Sequence, residues 1–390
     1  MKTLILLSLG SGYGGAERSV ETILQHLPDG IKVLVYAQNR LHIERLLCPG
    51  ALPRNAKLIR AASTDSAWSK HWASLRLLYD CLKNPDAKIV INTQASALIA
   101  AMTAKFLPSL GKRSFIYVRD FLWTDLDYIF GRLSDARILI PSSVVAKQLG
   151  YLSQYYLQPF GRMSHLVVPD MVALLTPPAQ QPLQQAGNNV GFFLHLATVN
   201  GWKGHADLLV TASILRSSGS AIQVRSYGPV GDSALDTKLR RLIASLDLGE
   251  FYQINDHAPD PTTLLKACVG LVVTSRSHSG GPETFGRAVI EAWAQGKPVI
   301  AYNCGAVGEL IDHGVDGVLI DEGDTTALAD AMRTLIESPQ TCQRLGQSGL
   351  EKVKRLYEAG AVTNLLIDRV FSSDGIQRKS TPTDTPASSL

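Results

Sequence analysis

The sequence predicts an α/β protein made of two successive units, each with a parallel sheet covered by helices on both faces. Short apolar runs alternate with helical stretches along most of the chain, which is the pattern of parallel strands joined by crossover helices. One segment, residues 176–189, is rich in Pro, Gln and Asn and has no hydrophobic period, so it is interpreted as a linker. The length of 390 residues suits two domains of ordinary size.

The first unit, residues 1–175, begins with a predicted strand at 2–9 that turns at glycines into a helix. The apolar stretch resembles a signal peptide only faintly, because it runs into glycines rather than into a cleavage site with small residues. A first buried strand is the preferred interpretation. Further strands are predicted at 31–36, 89–92, 115–118 and 138–140.

A helix is predicted at residues 67–83, and it is amphipathic. Apolar and basic residues recur on it at helical spacing. We expect the apolar residues to pack in the core and the basic ones to be solvated; a helix lying on a membrane surface is the alternative. The apolar residues are Trp68, Trp72, Leu75, Leu78, Tyr79 and Leu82, and the basic ones are Lys70, His71, Arg76 and Lys83.

The second unit, residues 190–357, restarts the alternation with a buried strand. A helix at about 358–371 is expected to pack back on the first unit. Residues 372–390 are polar and rich in Ser, Thr and Pro, so we expect a disordered tail. Within the second unit, strands are predicted at 190–197, 221–227, 270–274 and 298–302, and helices at 204–217, 233–247, 284–295 and 325–337.

Composition limits the class of protein. Five widely spaced cysteines without a CxxC motif argue against a disulfide framework or a zinc site and fit a reducing cytoplasm. No run reaches the roughly 18 apolar residues of a membrane span. Residues 1–175 carry 20 Lys and Arg against 12 Asp and Glu, and the rest of the chain carries 18 against 22. The basic first unit could meet an anionic membrane, an acidic glycan or nucleic acid, or could reflect uneven solvation charge alone.

Residues 280–310 combine glycine turns, the glutamate pair Glu283 and Glu291, and a predicted helix start. The first turn of that helix, placed at residues 284–286, would leave backbone amides unpaired, and a helix start of this kind binds anions. Glu291 follows Glu283 by eight residues, or about 12 Å along a helix, too far to share one proton-transfer centre. The two carboxylates could accept hydrogen bonds from two sugar rings joined by a diphosphate. Otherwise Glu283 is a helix-start charge and Glu291 belongs to a solvated helix face.

The whole segment resembles the donor-site signature of glycosyltransferase family 4, whose members have the GT-B architecture of two Rossmann-like domains facing each other across a cleft. The resemblance implies that Glu283 contacts the donor sugar and Glu291 the ribose hydroxyls, while amides near Phe285 and Gly286 meet sugar or phosphate. The matching residues are Glu283, Phe285, Gly286, Glu291, Ala292, Ala294, Gly296, Pro298, Val299, Gly305 and Glu309.

A second motif, Lys203-Gly204, follows the strand at 190–197. It is similar to the Lys-Gly that holds the donor diphosphate in the family, where a lysine ammonium stabilises the departing charge. The family often has an arginine five residues earlier, and this chain has Thr198 there. The resemblance therefore predicts a diphosphate site that lacks one cation or borrows Arg276 or Arg287.

The first unit contributes two further motifs. Gly14-Gly15 looks like the Gly-Gly-x-Glu segment that lies near the donor phosphates in family 4. Gly10, Gly12 and Gly15 also satisfy the GxGxxG dinucleotide fingerprint, but strand two ends without the acidic residue of that fingerprint, so only an NADP version, using Arg40, stays open. This fingerprint is the basis for an NADP-dependent oxidoreductase as an alternative function.

Arg119-Asp120 stands where many family members have His-Asp. A guanidinium stays charged and cannot act as a base. Arg119 could pair with a phosphate or an acidic acceptor, or could form a structural Arg–Asp ion pair. Asp125-Leu126-Asp127 matches a metal-binding DxD, but nothing around it supports that site.

The resemblance implies a glycosyltransferase that moves a sugar from a nucleotide-diphosphate-sugar to an acceptor hydroxyl, with retention and without a metal or other cofactor. Glu283, Lys203, Arg119 and Asp120 are the candidate catalytic residues. The expected acceptor is a polysaccharide, a lipopolysaccharide or another glycan, free or lipid-linked, and no nucleic acid is expected. Peripheral contact of the basic first unit with the inner face of the cytoplasmic membrane is an open expectation. The alternatives are an NADP-dependent oxidoreductase and a degenerate binding module that keeps the fold.

Overall fold

The computed structural model describes residues 1–61, 66–120, 123–147, 165–174, 191–256, 260–278 and 281–372. The predicted linker at 176–189 lies outside these ranges, as does the predicted tail at 372–390 apart from its first residue. The division of the chain into domains at those boundaries stays a prediction.

Two parallel sheets form the two units. The described part of the first unit contains a seven-stranded sheet in the order β3-β2-β1-β4-β5-β6-β7, and that of the second unit a six-stranded sheet in the order β10-β9-β8-β11-β12-β13. The predicted α/β class is thereby confirmed. The strands are β1 Lys2–Ser8, β2 Ile31–Ala37, β3 Ala56–Arg60, β4 Lys88–Ile91, β5 Ser114–Tyr117, β6 Arg137–Ile140, β7 His165–Val167, β8 Phe192–Leu196, β9 Gln223–Tyr227, β10 Tyr252–Asn255, β11 Gly270–Val273, β12 Val299–Tyr302 and β13 Val318–Ile320.

Helices cover both faces of each sheet. Apolar residues of β1 and its neighbours point alternately to two cores, one of which is shared with α3, α4 and α5 and the other with α1 and α13. The helices are α1 Gly15–Gln25, α2 Arg40–Leu46, α3 Ala67–Lys83, α4 Gln94–Ala104, α5 Leu126–Arg132, α6 His205–Ser217, α7 Ser233–Ser245, α8 Pro261–Ala267, α9 Arg287–Trp293, α10 Ala306–Leu310, α11 Thr325–Glu337, α12 Pro339–Leu356 and α13 Ala359–Phe371.

The four strands that the sequence does not predict are the edge strands of the two sheets, β3, β7, β10 and β13. Each is exposed or half-buried along part of its length, whereas β1, β4 and β5 are mostly buried. An edge strand packs against one neighbour only, so its sequence lacks the continuous apolar run on which the predictions depend.

The predicted packing of α3 is wrong. Trp68, Trp72 and Leu82 are 78%, 67% and 63% exposed, although their spacing predicts a core face. The buried side of α3 includes Ala73, Ser74 and Leu77, and the hydroxyl of Ser74 lies 3.0 Å from the hydroxyl of Thr103 in α4. Trp68, Trp72 and Leu82 lie on the opposite side of the helix from these buried residues, so they face away from the core.

The helix predicted at 284–295 begins three residues later, at Arg287. Gly286 precedes it with a φ of +99°, a left-handed conformation that interrupts helical geometry. Residues 284–286 therefore form the loop before the helix and not its first turn.

The chain crosses back to the first unit at its end, as predicted. Val362, Leu366 and Val370 of α13 pack in the core that contains Leu4 and Val33 of the first sheet. The loops at the carboxyl ends of both sheets meet: the hydroxyl of Thr284, which follows β11, donates to the carbonyl of Arg119 after β5 at 2.7 Å. Side chains from the ends of both sheets consequently share one interdomain cleft.

Candidate active site

Lys203 and Glu283, 80 residues apart in sequence, form an ion pair in the cleft. Lys203 ends a short turn of 3-10 helix after β8, and its ammonium donates to Oε1 of Glu283. The hydroxyl of Ser275 donates to the same oxygen at 2.6 Å. The two side chains of the pair are 19% and 15% exposed, so they are held in place but open to the cleft. The structure thus brings together two of the candidate catalytic residues.

Gly204 allows the turn that carries Lys203 to pack against β11. It has a φ of +75°, and a Cβ at this position would lie 2.0 Å from the carbonyl oxygen of Thr274. The hydroxyl of Thr274 also donates to the carbonyl of Lys203 at 3.0 Å. Only glycine fits this turn, so the Lys-Gly motif has a structural reason independent of any ligand.

Substitution of Gly204 by alanine is expected to destabilise the protein by about 2 kcal/mol or more, because both backbone strain and overpacking contribute. The melting temperature should fall by about 4 °C or more. Gly201→Ala is the matched control, since a Cβ there meets nothing within 4 Å. Equal melting temperatures for the two variants would contradict this account of the turn.

Glu283 is positioned by the glycine turn at Gly305. Gly305 has a φ of +57°, and its Cβ would lie 2.5 Å from the carbonyl oxygen of Glu283. The amide of Ala306 donates to that carbonyl at 2.9 Å. The glycine turn at the end of the motif therefore fixes the backbone of the glutamate near its start.

Phe285 is a core residue. Its ring is 6% exposed and meets Tyr357 edge-on, with 5.6 Å between centroids. Gly286 next to it leaves little room, because its Cβ would lie 3.0 Å from Val307. The predicted donor contacts of Phe285 and Gly286 therefore depend on their backbone groups, and they stay predictions.

Glu291 is not on a solvated helix face. The residue is 7% exposed, and its Oε1 accepts from Arg287 at 2.8 Å and from Arg18 at 2.5 Å. Arg18 lies in α1 of the first unit, so this pair joins the two units across the cleft. Both guanidinium groups bind the same carboxylate oxygen. The sequence did not indicate Arg18, although it follows the Gly-Gly-x-Glu segment directly.

Arg119 is held in a buried network. Its Nε donates to Asn92 at 2.9 Å, its Nη1 lies 3.2 Å from Asp170, and its guanidinium stacks 3.7 Å from the ring centroid of Tyr117. The structural ion pair is therefore formed with Asp170, a residue that the sequence did not single out. Within the described ranges, Nη2 of Arg119 is buried without a hydrogen-bond partner. Asp120 is exposed, and its catalytic role stays a prediction.

Asp170 links both units through its charge. Burial by itself would raise the pKa of its carboxyl, but Arg119 and Arg287 hold that pKa below its ordinary value. Asp170 is therefore ionised and balances two guanidinium groups, one from each unit. The hydroxyl of Ser19 donates to the same carboxylate and completes the network.

The Gly14-Gly15 segment faces the donor-side helix across the cleft. A Cβ on Gly15 would lie 3.7 Å from Cδ of Arg287. The amide of Gly14 donates to the carboxylate of Glu17 at 2.9 Å, which closes the start of α1. Arg40, on which the NADP interpretation depends, is an exposed residue that pairs with Glu44 of its own helix at 2.8 Å. Within the described ranges, Arg40 therefore has a structural partner in its own helix.

Both arginines that could replace the missing cation, Arg276 and Arg287, already pair with carboxylates. Arg276 makes two hydrogen bonds to Asp207, at 2.7 and 2.6 Å, and Arg287 pairs with Asp170 and Glu291. Thr198 itself is half-buried beside the Lys203 turn, and its carbonyl lies 3.2 Å from Nε2 of His205.

Two buried imidazoles lie behind the Lys203 turn. Nδ1 of His195 is 2.9 Å from the hydroxyl of Ser226, and Nδ1 of His205 is 3.0 Å from that of Tyr252. Burial lowers the pKa of His195 well below its ordinary value and that of His205 to about 4. Both imidazoles are therefore neutral near pH 7.

These imidazoles predict acid lability. The unfolded chain takes up protons on histidine near pH 6.5, whereas folded His205 does so only near pH 4. The free energy of unfolding should therefore fall as the pH drops from about 6.5 to 4, by up to about 1.4 kcal/mol per pH unit for each imidazole. Urea unfolding at pH 7 and pH 5 measures this. His205→Gln should show a shallower pH dependence than the wild type, and an identical dependence would contradict the assignment.

Neither a metal-binding cluster nor a membrane-spanning helix is present in the described ranges. In that part of the chain, no three His, Cys, Asp or Glu side chains are grouped so as to hold a metal ion. That the transfer reaction needs no metal stays a prediction. No helix in the same ranges combines the length and the apolar character needed to cross a bilayer.

The second unit is similar to known proteins. Residues 181–352 match the family model for glycosyl transferases group 1. D-inositol 3-phosphate glycosyltransferase of Corynebacterium efficiens is 26% identical over 203 residues, which is 50% of this chain and 47% of that protein. Lipopolysaccharide core biosynthesis glycosyltransferase LpsD of Rhizobium meliloti is 29% identical over 139 residues, 36% of this chain and 39% of that protein. The chain thus spans about half the length, or less, of these curated relatives.

Solved structures extend the likeness to the whole fold. Anabaena Alr3699/HepE in complex with UDP-glucose has a TM-score of 0.76 at 19% identity, over 95% of this chain and 99% of that one. A glycosyltransferase from Rickettsia africae also has a TM-score of 0.76, at 16% identity, over 95% of this chain and 97% of that one. The chain therefore has the GT-B fold, and the region that carries Lys203, Glu283 and Glu291 matches the family model for glycosyl transferases group 1.

Proposed function

We propose that this protein transfers a sugar from a nucleotide-diphosphate-sugar to an acceptor hydroxyl. The observation that carries the proposal is the Lys203–Glu283 pair, placed in the interdomain cleft with Glu291 on the neighbouring helix. A cation and two carboxylates suit a ligand that has an anionic centre between two hydroxyl-rich rings. The structure of HepE with UDP-glucose supports the choice of a nucleotide-sugar.

Each residue has a proposed role. Lys203 stabilises the negative charge on the departing diphosphate, and Glu283, released from Lys203, accepts hydrogen bonds from the donor sugar. Because both arginines bind Oε1 of Glu291, the ribose hydroxyls are proposed to approach its other oxygen. Nη2 of Arg119, buried and unpaired within the described residues, is proposed to donate to a sugar, phosphate or acidic acceptor oxygen.

The reaction is proposed to retain the anomeric configuration and to need no metal, with the leaving diphosphate taking the acceptor proton. The second unit would bind the donor and the first the acceptor. The names of relatives that act on inositol 3-phosphate or in lipopolysaccharide core biosynthesis support an acceptor from glycan or glycolipid biosynthesis. Membership of family 4 and a cytoplasmic location belong to the same proposal.

A thermal-shift panel of UDP-, GDP-, ADP- and CMP-sugars, with NADPH as the comparison, tests the donor class. A true donor at 100 times its Kd should stabilise the protein by about 2.7 kcal/mol. Hydrolysis or transfer of the stabilising sugar then establishes the activity. Binding of NADPH without any nucleotide-sugar would overturn the proposal, and donor binding without hydrolysis or transfer to any acceptor would favour the degenerate binding module.

A further inference from the structure

One face of α3 carries a stripe of large apolar side chains that the core does not use. Its residues follow one another at intervals of four and three, which places them within an arc of about 80°. We call this set the α3 stripe: Trp68, Trp72, Leu75, Tyr79 and Leu82, which are 78%, 67%, 50%, 47% and 63% exposed. A continuous exposed apolar face of this kind marks an interaction site.

Cations flank the α3 stripe. Arg76 and Lys83 lie 5.6 and 4.7 Å from the ring centroid of Tyr79. The acid of this helix, Asp80, is buried and pairs with Arg76 at 2.8 Å, so it offsets the charge of Arg76, whereas Lys83 keeps its positive charge beside Tyr79. Lys105 and Phe106, both exposed, follow α4, whose Thr103 contacts α3 through Ser74. The surface is thus both apolar and basic.

We infer that the α3 stripe docks on the surface of an anionic lipid bilayer, with α3 lying in the interface. Trp and Tyr side chains are favoured at the level of the headgroups, and Leu side chains reach the acyl boundary. The flanking Lys and Arg side chains attract anionic lipids. The charge of the first unit agrees, with 20 Lys and Arg against 12 Asp and Glu in residues 1–175.

A second copy of the chain fits this surface less well. A contact between the α3 stripes of two copies would bury basic side chains of both copies in one interface, and like charges in one interface oppose association. Anionic headgroups neutralise those same cations. Charge complementarity therefore favours a lipid surface over a dimer.

The orientation of α3 connects this surface with the cleft. A helix between parallel strands runs antiparallel to them, so the Trp68 end of α3 lies at the carboxyl edge of the first sheet. Thr284 of the second unit meets the loop after β5 at the same edge. Docking would place the open edge of the cleft near the membrane, although binding to lipid does not itself depend on the proposed transfer reaction.

Co-sedimentation of the full chain with large unilamellar vesicles tests the inference. Vesicles of phosphatidylcholine alone are compared with vesicles containing 30% phosphatidylglycerol. We expect strong binding to the anionic vesicles, weakened by salt, and at least about tenfold weaker partitioning for Trp68→Ser/Trp72→Ser. Leu75→Ser/Leu82→Ser is a second, independent variant. Leu246→Ser/Val315→Ser, at positions 45% and 55% exposed in the second unit, is the matched control and should bind like the wild type.

Melting temperatures of all variants should equal that of the wild type, because the substituted side chains are exposed. Failure of the wild type to bind anionic vesicles would overturn the inference. Equal partitioning of the wild type and both α3 variants would overturn it too. A dimer that both α3 variants abolish, without vesicle binding by the wild type, would assign the surface to a second copy instead.

Discussion

Glu283→Ala is expected to reduce kcat/KM for sugar transfer by about 1,000-fold or more. The carboxylate is fixed by Ser275 and by the backbone turn at Gly305, so it would be preorganised for the donor sugar. Loss of one preorganised polar group in an active site costs about 100- to 1,000-fold, and this variant also leaves Lys203 without its partner in the free enzyme.

The control for this variant is Glu250→Ala, which removes an exposed carboxylate of the same unit. It should turn over at the wild-type rate. The melting temperature of Glu283→Ala must stay close to that of the wild type for the comparison to hold. Unchanged transfer by a folded Glu283→Ala protein would show that the donor site is elsewhere.

Lys203→Met is expected to lower kcat by about 100- to 1,000-fold, because negative charge grows on the diphosphate as the glycosidic bond breaks. Methionine retains an unbranched chain of similar length, so the contact with the ring of Trp202, now 3.8 Å from the ammonium, should persist in part. The loss should fall mainly on kcat, since the ammonium is proposed to act on charge that develops in the transition state.

Lys266→Met, at an exposed lysine of α8, is the matched control. Lys203 and Glu283 share one ion pair, so their substitutions should not be additive: the double variant should lose less than the product of the two single losses. A change confined to KM would mean that Lys203 only binds the ground state, and strict additivity would mean that the pair does not act as a unit.

Much of the site could be predicted because short motifs carry it. Lys203-Gly204 and Glu283 lie in loops whose shape depends on glycines, and Gly204 and Gly305 have positive φ in the structure. A glycine that a backbone conformation requires leaves a clear mark in the sequence. The roles of these residues toward a ligand stay predictions.

Residues that act across the cleft could not be predicted in the same way. Arg18 pairs with Glu291, which lies 273 residues later in the sequence. Asp170 pairs with Arg119 and also with Arg287, which lies 117 residues later. No local pattern relates such positions. The sequence interpretation gave a solvated helix face as the alternative to ribose binding for Glu291, whereas the structure buries this residue between two arginines.

By itself, the sequence determined the order of the buried strands and of several helices, the parallel class of the sheets and the loops that carry Lys203 and Glu283. These features follow from periodicity and from backbone requirements that act over a few residues. The tertiary structure decided the edge strands, the start of α9 at Arg287, the ion pairs of Arg18 and Asp170, and the exposure of the α3 stripe. Periodicity shows that a helix has an apolar face, but only the packing of the remaining chain decides whether that face is covered.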